Sequence, residues 1–321
     1  MSFHTNITRN MACNGYYPNI RKVINPTDIS SDELKTLLHY ALHLKKHIQL
    51  SKQSQDLKGK TLTLLLHKPC FRLQTCFKAT AHVLRMNLNS LMNGDWEEAD
   101  YPEDMAKMLS TSSDIMFCQF QRHSRAGRFA SGATVPVVAT SSCRSILLHI
   151  LSDLMTLREH FGYLNGLKYA WIGSACPALN TCLAVAPLLG IDVNYLCRCG
   201  GEPLTPSNLK ELQDTDIPQY TAKIHEAASL EQALSDANVV SINNPVKVDI
   251  PMIMKTQIDK LAHENWVFFH LFPRKPDEVD EEIFINDKNL VWKSFANSKW
   301  ICAAIVHYLL NSAVTYNVNN V

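Results

Sequence analysis

Two charged side chains stand where a short apolar run gives way to polar residues. Arg72 follows the run Thr61 to Leu66, and His270 directly follows the apolar residues 267–269. An arginine beside the amino end of a helix suits an anion, because the helix dipole and free backbone N–H groups both favour negative charge. Arg72 is therefore either an anion ligand or one half of a structural ion pair. His270 is either a cleft residue or a packed imidazole.

The pattern of apolar runs predicts the elements that carry these residues. The short runs are typical of buried strands, and longer helical patterns separate them. The predicted strands are 61–66, 114–120, 134–139, 167–172, 193–196, 239–242 and 267–269, and the predicted helices include 32–50, 75–85 and 145–161. Strands that alternate with helices form parallel sheets covered on both faces. We therefore predict an α/β protein of two doubly wound parallel-sheet domains, with ligand sites at the carboxyl ends of the strands.

Composition excludes several classes of function. The 321 residues carry 31 basic and 30 acidic side chains, a net charge of +1, which gives no electrostatic footprint for nucleic acid or for a membrane surface. The apolar runs are too short to span a bilayer. The ten cysteines do not form a dense secreted framework, so we expect reduced thiols in the cytoplasm or the mitochondrial matrix. Residues 1–22 are interpreted as a flexible tail, with a presequence as the alternative.

Two motifs resemble the ornithine carbamoyltransferase family. His270 to Pro276 reads HLFPRKP and is followed by an acidic run, as in the family's His-Cys-Leu-Pro-Arg segment. Asn297 to Trp300 reads NSKW, which is similar to the family's Asn-Arg-Lys-Trp. The resemblance covers about residues 23–310. It implies a carbamoyl-phosphate-type domain at 23–150, completed by a helix at 299–315, and an ornithine-type domain at 151–298.

The same resemblance implies further architecture. Two interdomain helices, at 145–161 and 299–311, would join the domains. The subunits would form a homotrimer with each active site at a subunit interface, using contacts that come mainly from the first domain. No metal and no cofactor are expected.

The positions that would hold carbamoyl phosphate are mostly substituted. The family's phosphate loop, Ser-Thr-Arg-Thr-Arg, corresponds here to Cys70, Phe71, Arg72, Leu73 and Gln74. Only Arg72 is retained. The other matching positions are Cys118 for the next phosphate arginine, His149 for the carbamoyl-binding glutamine, Leu271 for the motif cysteine and Ser298 for the last arginine.

The positions that would hold ornithine are also changed. The family's Asp-x-x-x-Ser-Met-Gly aligns with Asn243, Lys247 and Val248, and its asparagine pair aligns with Cys176 and Pro177. No residue is assigned a catalytic role, although His270 keeps its motif position. Since Cys70, Cys118, Cys176 and His149 all replace former ligands, a metal or redox site is one alternative. Small filler side chains in a pocket that has lost its ligand are the other.

The estimated loss of phosphate-binding free energy favours loss of activity. Each charge-assisted hydrogen bond contributes ~1.5–3 kcal/mol, so three lost arginine contacts would weaken phosphate binding by roughly 4.5–9 kcal/mol. We therefore predict a catalytically inactive pseudoenzyme with a structural or regulatory role, which assembles as a homotrimer or with an active relative and retains weak anion binding. The alternative is a divergent carbamoyltransferase with an altered amino-acid or acyl-donor substrate.

Overall fold

The structure is a computed structural model that describes residues 21–47, 57–197, 222–243, 250–276 and 278–310. Two parallel sheets of five strands each form its framework. The strands of the first sheet are β1 (Lys22–Val23), β2 (Thr61–Leu66), β3 (Asn87–Leu91), β4 (Ile115–Gln119) and β5 (Val137–Ser141), in the spatial order β1-β5-β4-β2-β3. Those of the second are β6 (Lys168–Gly173), β7 (Asp192–Cys197), β8 (Ile224–Glu226), β9 (Val239–Asn243) and β10 (Val267–His270), in the order β10-β9-β6-β7-β8.

Helices cover both sheets. They are α1 (Ser31–His47), α2 (Phe71–Leu84), α3 (Asp95–Glu98), α4 (Pro102–Ser110), α5 (His123–Gly132), α6 (Leu147–Phe161), α7 (Pro177–Val185), α8 (Leu230–Leu234), α9 (Lys255–Leu261), α10 (Glu281–Phe284) and α11 (Val291–Leu310). Short 3-10 turns lie at Pro26–Asp28 and Pro187–Leu189. The expected fold class, two α/β domains with parallel sheets, is thus confirmed.

The central strand β2 shows why this sequence forms such a sheet. Five of its six residues, Leu62 to Leu66, are buried, because the strand is hydrogen-bonded on both edges and covered on both faces. A capping box begins α1, in which the Glu33 carboxylate accepts from the Ser30 backbone N–H at 2.9 Å and the Ser30 hydroxyl accepts from the Glu33 N–H. Gly162 ends α6 in the left-handed conformation, with φ of 81°.

Several boundaries differ from the sequence prediction. α2 begins at Phe71 rather than at residue 75, so the positions that match the phosphate loop already form its first turn. α11 begins at Val291, eight residues before the predicted start. The strands β1, β3 and β8 were not predicted, because all three are short or polar edge strands with little apolar signal.

The long helices α6 and α11 pack against each other between the two sheets. The Asn297 side chain on α11 donates to Thr156 Oγ1 at 2.9 Å and to Glu159 Oε2 at 3.0 Å on α6. Lys45 of α1 donates to the Glu159 carboxylate at 2.7 Å and to the side-chain amide oxygen of Asn297 at 2.8 Å. A buried polar network therefore fixes α1, α6 and α11 to one another.

Candidate functional site

One cavity lies where β4 and β5 of the first sheet end and α2 begins. Its volume is about 130 Å³. The strand ends contribute Gln119, Thr140 and Ser141, and the two long helices close the other side. The residues that line it are Cys70, Arg72, Leu73, Cys76, Gln119, Thr140, Ser141, Ile146, Leu148, His149, Ser152, Ser294, Phe295 and Ser298. This is the carboxyl edge at which parallel sheets bind ligands.

A chain of polar contacts crosses the cavity wall. Arg72 Nη1 donates to Nδ1 of His149 at 3.1 Å. A guanidinium can only donate, so Nδ1 accepts and a neutral His149 carries its proton on Nε2. That nitrogen lies 3.6 Å from Oδ2 of Asp153, one helical turn further along α6. The Asp153 carboxyl in turn accepts from the Ser294 hydroxyl of α11 at 2.5 Å.

Burial sets the charge states of His149 and Asp153 in this series of contacts. It lowers the pKa of His149 well below the usual range of an imidazole, and the positive charge of Arg72 acts in the same direction. Burial also raises the pKa of Asp153 to about 7, although the hydrogen bond from Ser294 and the charge of Arg72 both oppose this rise. His149 is therefore neutral near pH 7, whereas Asp153 changes its charge there.

The structure brings together five of the positions predicted from sequence for carbamoyl phosphate. Cys70, Arg72, Leu73, His149 and Ser298 all line the cavity. Leu73 is buried and presents an apolar wall. The Ser298 hydroxyl donates to the carbonyl of Phe295 at 2.7 Å, within its own helix, so this donor is turned away from a ligand. Arg72 is the one cation among the described residues that line the cavity.

Three other predicted positions lie elsewhere. Phe71 is 73% exposed, and neither it nor Gln74 lines the cavity. Cys118 is fully buried on the other face of β4, in an apolar cluster with Trp96 and Phe129. Successive strand residues point to opposite faces, so Gln119, the next residue, reaches the cavity instead.

The ornithine-type positions are partly brought together. Cys176 precedes α7 and Pro177 is the first residue of that helix. The side-chain amide of Asn243, at the end of β9, donates to the Cys176 sulfur at 3.2 Å. Lys247 and Val248 lie outside the described residues.

The motif histidine is packed rather than open. His270 is buried, and its Nε2 lies 3.0 Å from Oε2 of Glu278. Burial, and after it the charge of Arg274, lower the pKa of His270 to about 4. The imidazole is therefore neutral near pH 7, so its contact with Glu278 is not an ion pair. The neighbouring Leu271 is half-buried against the main apolar core.

Sequence reasoning missed Asp153, Ser294, Gln119 and Cys76. Asp153 had a signal, because it lies four residues after His149 on a predicted helix and must share its face. Ser294 had none, since it lies ahead of the predicted start of α11.

The metal alternative gains no support, because no three His, Cys, Asp or Glu residues in the described part of the chain are placed to hold an ion. Nor is any described helix long and apolar enough to cross a bilayer.

Comparison with known proteins places this geometry in a family. Residues 21–159 match the aspartate/ornithine carbamoyltransferase carbamoyl-P binding domain, and residues 165–309 match the Asp/Orn binding domain of that family. The ornithine carbamoyltransferase of Thermus thermophilus is 36% identical over 286 residues, which cover 87% of this chain and 93% of that protein. The mitochondrial ornithine transcarbamylase of Gallus gallus is 27% identical over 305 residues, 90% of this chain and 86% of that one.

Solved structures agree on the fold. A mitochondrial ornithine carbamoyltransferase from Coccidioides immitis superposes with a TM-score of 0.84 at 23% identity, covering 91% of this chain and 98% of that one. Matches to both domain models, and a relative above 30% identity along almost its whole length, leave one assignment. This chain belongs to the aspartate/ornithine carbamoyltransferase family.

Proposed function

We propose that this chain is a non-catalytic member of the family, with a structural or regulatory role. One observation carries the proposal. The single cavity-lining arginine in the described residues already donates to His149, and a buried carboxyl stands directly behind that imidazole. A carbamoyl phosphate dianion would have to compete with His149 for Arg72 and approach the Asp153 charge.

Carbamoyl transfer depends on groups that this cavity does not supply. Such a reaction needs several cations and hydrogen-bond donors aimed at one phosphate and one carbonyl oxygen. Arg72 is the one cation of the described lining, its neighbour Leu73 is apolar, and the Ser298 hydroxyl donates to Phe295 of its own helix.

The proposed role is exerted through assembly. The chain keeps both domains and the paired helices that join them, so the framework that a transcarbamylase uses to build its oligomer is retained. We infer that it forms trimers, with itself or with an active relative. In a mixed trimer it would alter the active sites at the shared interfaces without contributing a working one of its own.

The deciding experiment is an activity assay. Purified full-length protein is incubated with carbamoyl phosphate and ornithine, and then with a panel of other amino acids, while citrulline or another carbamoyl product is measured. The Thermus thermophilus enzyme, assayed in parallel, is the positive control. Product at background level is expected; turnover above ~1 s⁻¹, the low end of ordinary enzymes, would overturn the proposal.

A second experiment tests the partner role. The chain is co-expressed with a catalytic relative under separate affinity tags, and doubly tagged trimers are isolated. Activity per catalytic subunit in the mixed trimer should differ from that in the pure trimer. If no doubly tagged species forms, or if the activity per catalytic subunit is unchanged, the regulatory role by co-assembly is rejected.

A further inference from the structure

Two cysteines face each other between α2 and α11. The Sγ atoms of Cys76 and Cys302 are 3.5 Å apart, and the residues are 226 positions apart in sequence. Both are free thiols here. Cys76 lines the cavity, one helical turn from Arg72, and Cys302 lies behind it, one turn from Ser298 on the long helix α11.

We propose that Cys76 and Cys302 form a reversible disulfide when the protein meets a hydroperoxide, and that this bond locks α2 to α11. The two sulfurs need to approach from 3.5 Å to the ~2.05 Å of a disulfide. Rotation about the side-chain bonds and small helix shifts supply a displacement of this size, since the two helices are already packed together.

The two thiols have different environments, which sets the order of events. Cys76 is 8% exposed and lines the cavity, whereas Cys302 is completely buried. A small oxidant that enters the cavity therefore reaches Cys76 first. The hydrogen bond from the Cys302 thiol and the Ser298 hydroxyl lower the pKa of Cys76, and the Arg72 guanidinium adds to this effect. Burial raises the pKa of Cys302. Cys76 is thus the better nucleophile and Cys302 the resolving thiol.

The chemistry balances with a hydroperoxide as the named oxidant. The Cys76 thiolate attacks the outer oxygen of ROOH, the O–O bond breaks, and Cys76 sulfenic acid and ROH are formed after proton transfer. The Cys302 sulfur then attacks the sulfenic sulfur, its proton leaves with the hydroxide, and one water is released. In total two thiols and ROOH give one disulfide, ROH and H₂O. A small dithiol reverses the step by exchange.

The bond would change the mechanics of the protein. It would join α2, whose first turn carries Arg72, to the helix that runs between the two sheets. A crosslink across 226 residues strongly restricts the unfolded chain, so the oxidised protein should be more stable. The same bond draws the Cys76 sulfur away from the cavity wall. The redox state would therefore set both stability and the shape of the site.

Hydrogen peroxide is the probe for the test. The folded full-length chain is treated with a small molar excess, the remaining thiols are blocked, and tryptic peptides are analysed by mass spectrometry without reduction. The expected product is a peptide pair crosslinked through Cys76 and Cys302, with a rise in Tm of about 5 °C or more that dithiothreitol reverses. No crosslinked pair, or oxidation confined to other thiols, would overturn the proposal.

Matched variants separate the two roles. In Cys302→Ser, which keeps a hydrogen-bond donor beside Cys76, Cys76 should persist as a sulfenic acid that dimedone traps, and the Tm rise should vanish. In Cys76→Ala, Cys302 should stay unmodified. Cys143→Ala, which removes an exposed thiol, is the control and should crosslink like the unmodified protein. Circular dichroism verifies that each variant is folded. A Tm rise that survives in Cys76→Ala contradicts the assignment.

Discussion

The Ser294 hydroxyl donates a hydrogen bond of 2.5 Å to Asp153 and so joins α11 to α6 beside the cavity. This contact holds a carboxyl group that is fully buried in the apolar packing of α6. Asp153 is the group in this wall whose charge changes near neutral pH, since burial raises its pKa to about 7.

Asp153 should make stability depend on pH. Its pKa is about 7 in the folded protein against an ordinary value of 3.8, so the folded state keeps a proton that the unfolded state releases. Stability from this group therefore falls as pH rises from about 4 to about 7, by on the order of 4 kcal/mol. Asp153→Asn keeps an acceptor for Ser294 and should be the more stable protein at pH 8, with little difference at pH 4. Urea unfolding at both pH values measures this.

The comparison needs a control, because His270 titrates in a similar range with the opposite sign. Because the pKa of His270 is lowered in the folded protein, its contribution to the stability of the protein falls as pH falls from about 6.5 to about 4. The quantity to read is therefore the difference between each variant and the parent protein. Thr36→Ala, a change on α1 that neither adds nor removes an ionisable group, should give the same difference at both pH values. A pH-independent effect of Asp153→Asn would show that this carboxyl is not shifted.

Anion binding should depend on the same carboxyl. Arg72 is at the start of α2, where backbone N–H groups add to its attraction for an anion. Protonation of Asp153 below pH 7 removes the opposing charge, so sulfate should stabilise the protein in the millimolar range at pH 6 and less at pH 8. Sulfate is preferred to phosphate because its own charge is constant over this range. Thermal melts in increasing sulfate measure the effect.

Two variants show which groups produce the stabilisation by sulfate. Arg72→Ala should abolish the sulfate effect at both pH values, and Asp153→Asn should make it equal at pH 6 and pH 8. A stabilisation that persists in Arg72→Ala would mean that sulfate acts elsewhere on the protein. In that case Arg72 has a structural role through His149 alone.

Asn297 should be a strong determinant of stability. Its amide is fully buried and makes hydrogen bonds to Thr156, Glu159 and Lys45. Asn297→Ala removes these three hydrogen bonds from a buried network, and we expect a loss of about 2–4 kcal/mol. Ser298→Ala is the matched control, one residue further on, because its hydroxyl donates to the Phe295 carbonyl and takes no part in the Asn297 network. Urea midpoints of the two variants should differ clearly; similar midpoints would refute the importance of the network.

The oligomeric state should be a trimer. The subunit mass is 36.2 kDa, so light scattering at micromolar concentration should give about three times that value. A stable monomer under those conditions would remove the basis for shared-interface regulation. It would leave the inactivity of the isolated chain as a separate question, which the citrulline assay answers.

The strands that were predicted well are those whose signal is strong. β2 was predicted as residues 61–66 and has those bounds, because its buried residues form one uninterrupted apolar run. β3, Asn87–Leu91, was missed, since it is a polar edge strand that pairs only with β2. The start of α11 was missed because the helix was predicted to begin at residue 299, within the motif at Asn297, which lies in the middle of the observed helix.

The site was only partly predictable, for a reason of register. Cys118, the position predicted for the phosphate arginine, directly precedes Gln119, which lines the cavity, and on a strand one residue reverses the direction of a side chain. The pairing of β4 with β5 also shifts register between these two residues. Arg72 and His149 were both identified from sequence, but their 3.1 Å contact joins residues 77 positions apart and only the folded chain brings it about.

The position of α11 has a consequence for how the chain folds during synthesis. This helix contributes Ile301 to Val306 to the same apolar core as Leu62 and Leu64 of β2, and Tyr308 near its end donates to Glu33 of α1 at 2.6 Å. A ribosome thus releases every strand of both sheets before it releases the helix that covers the first. We expect the first domain to remain incompletely covered until α11 has been synthesised, after all the strands. A fragment that ends at residue 150 should therefore aggregate.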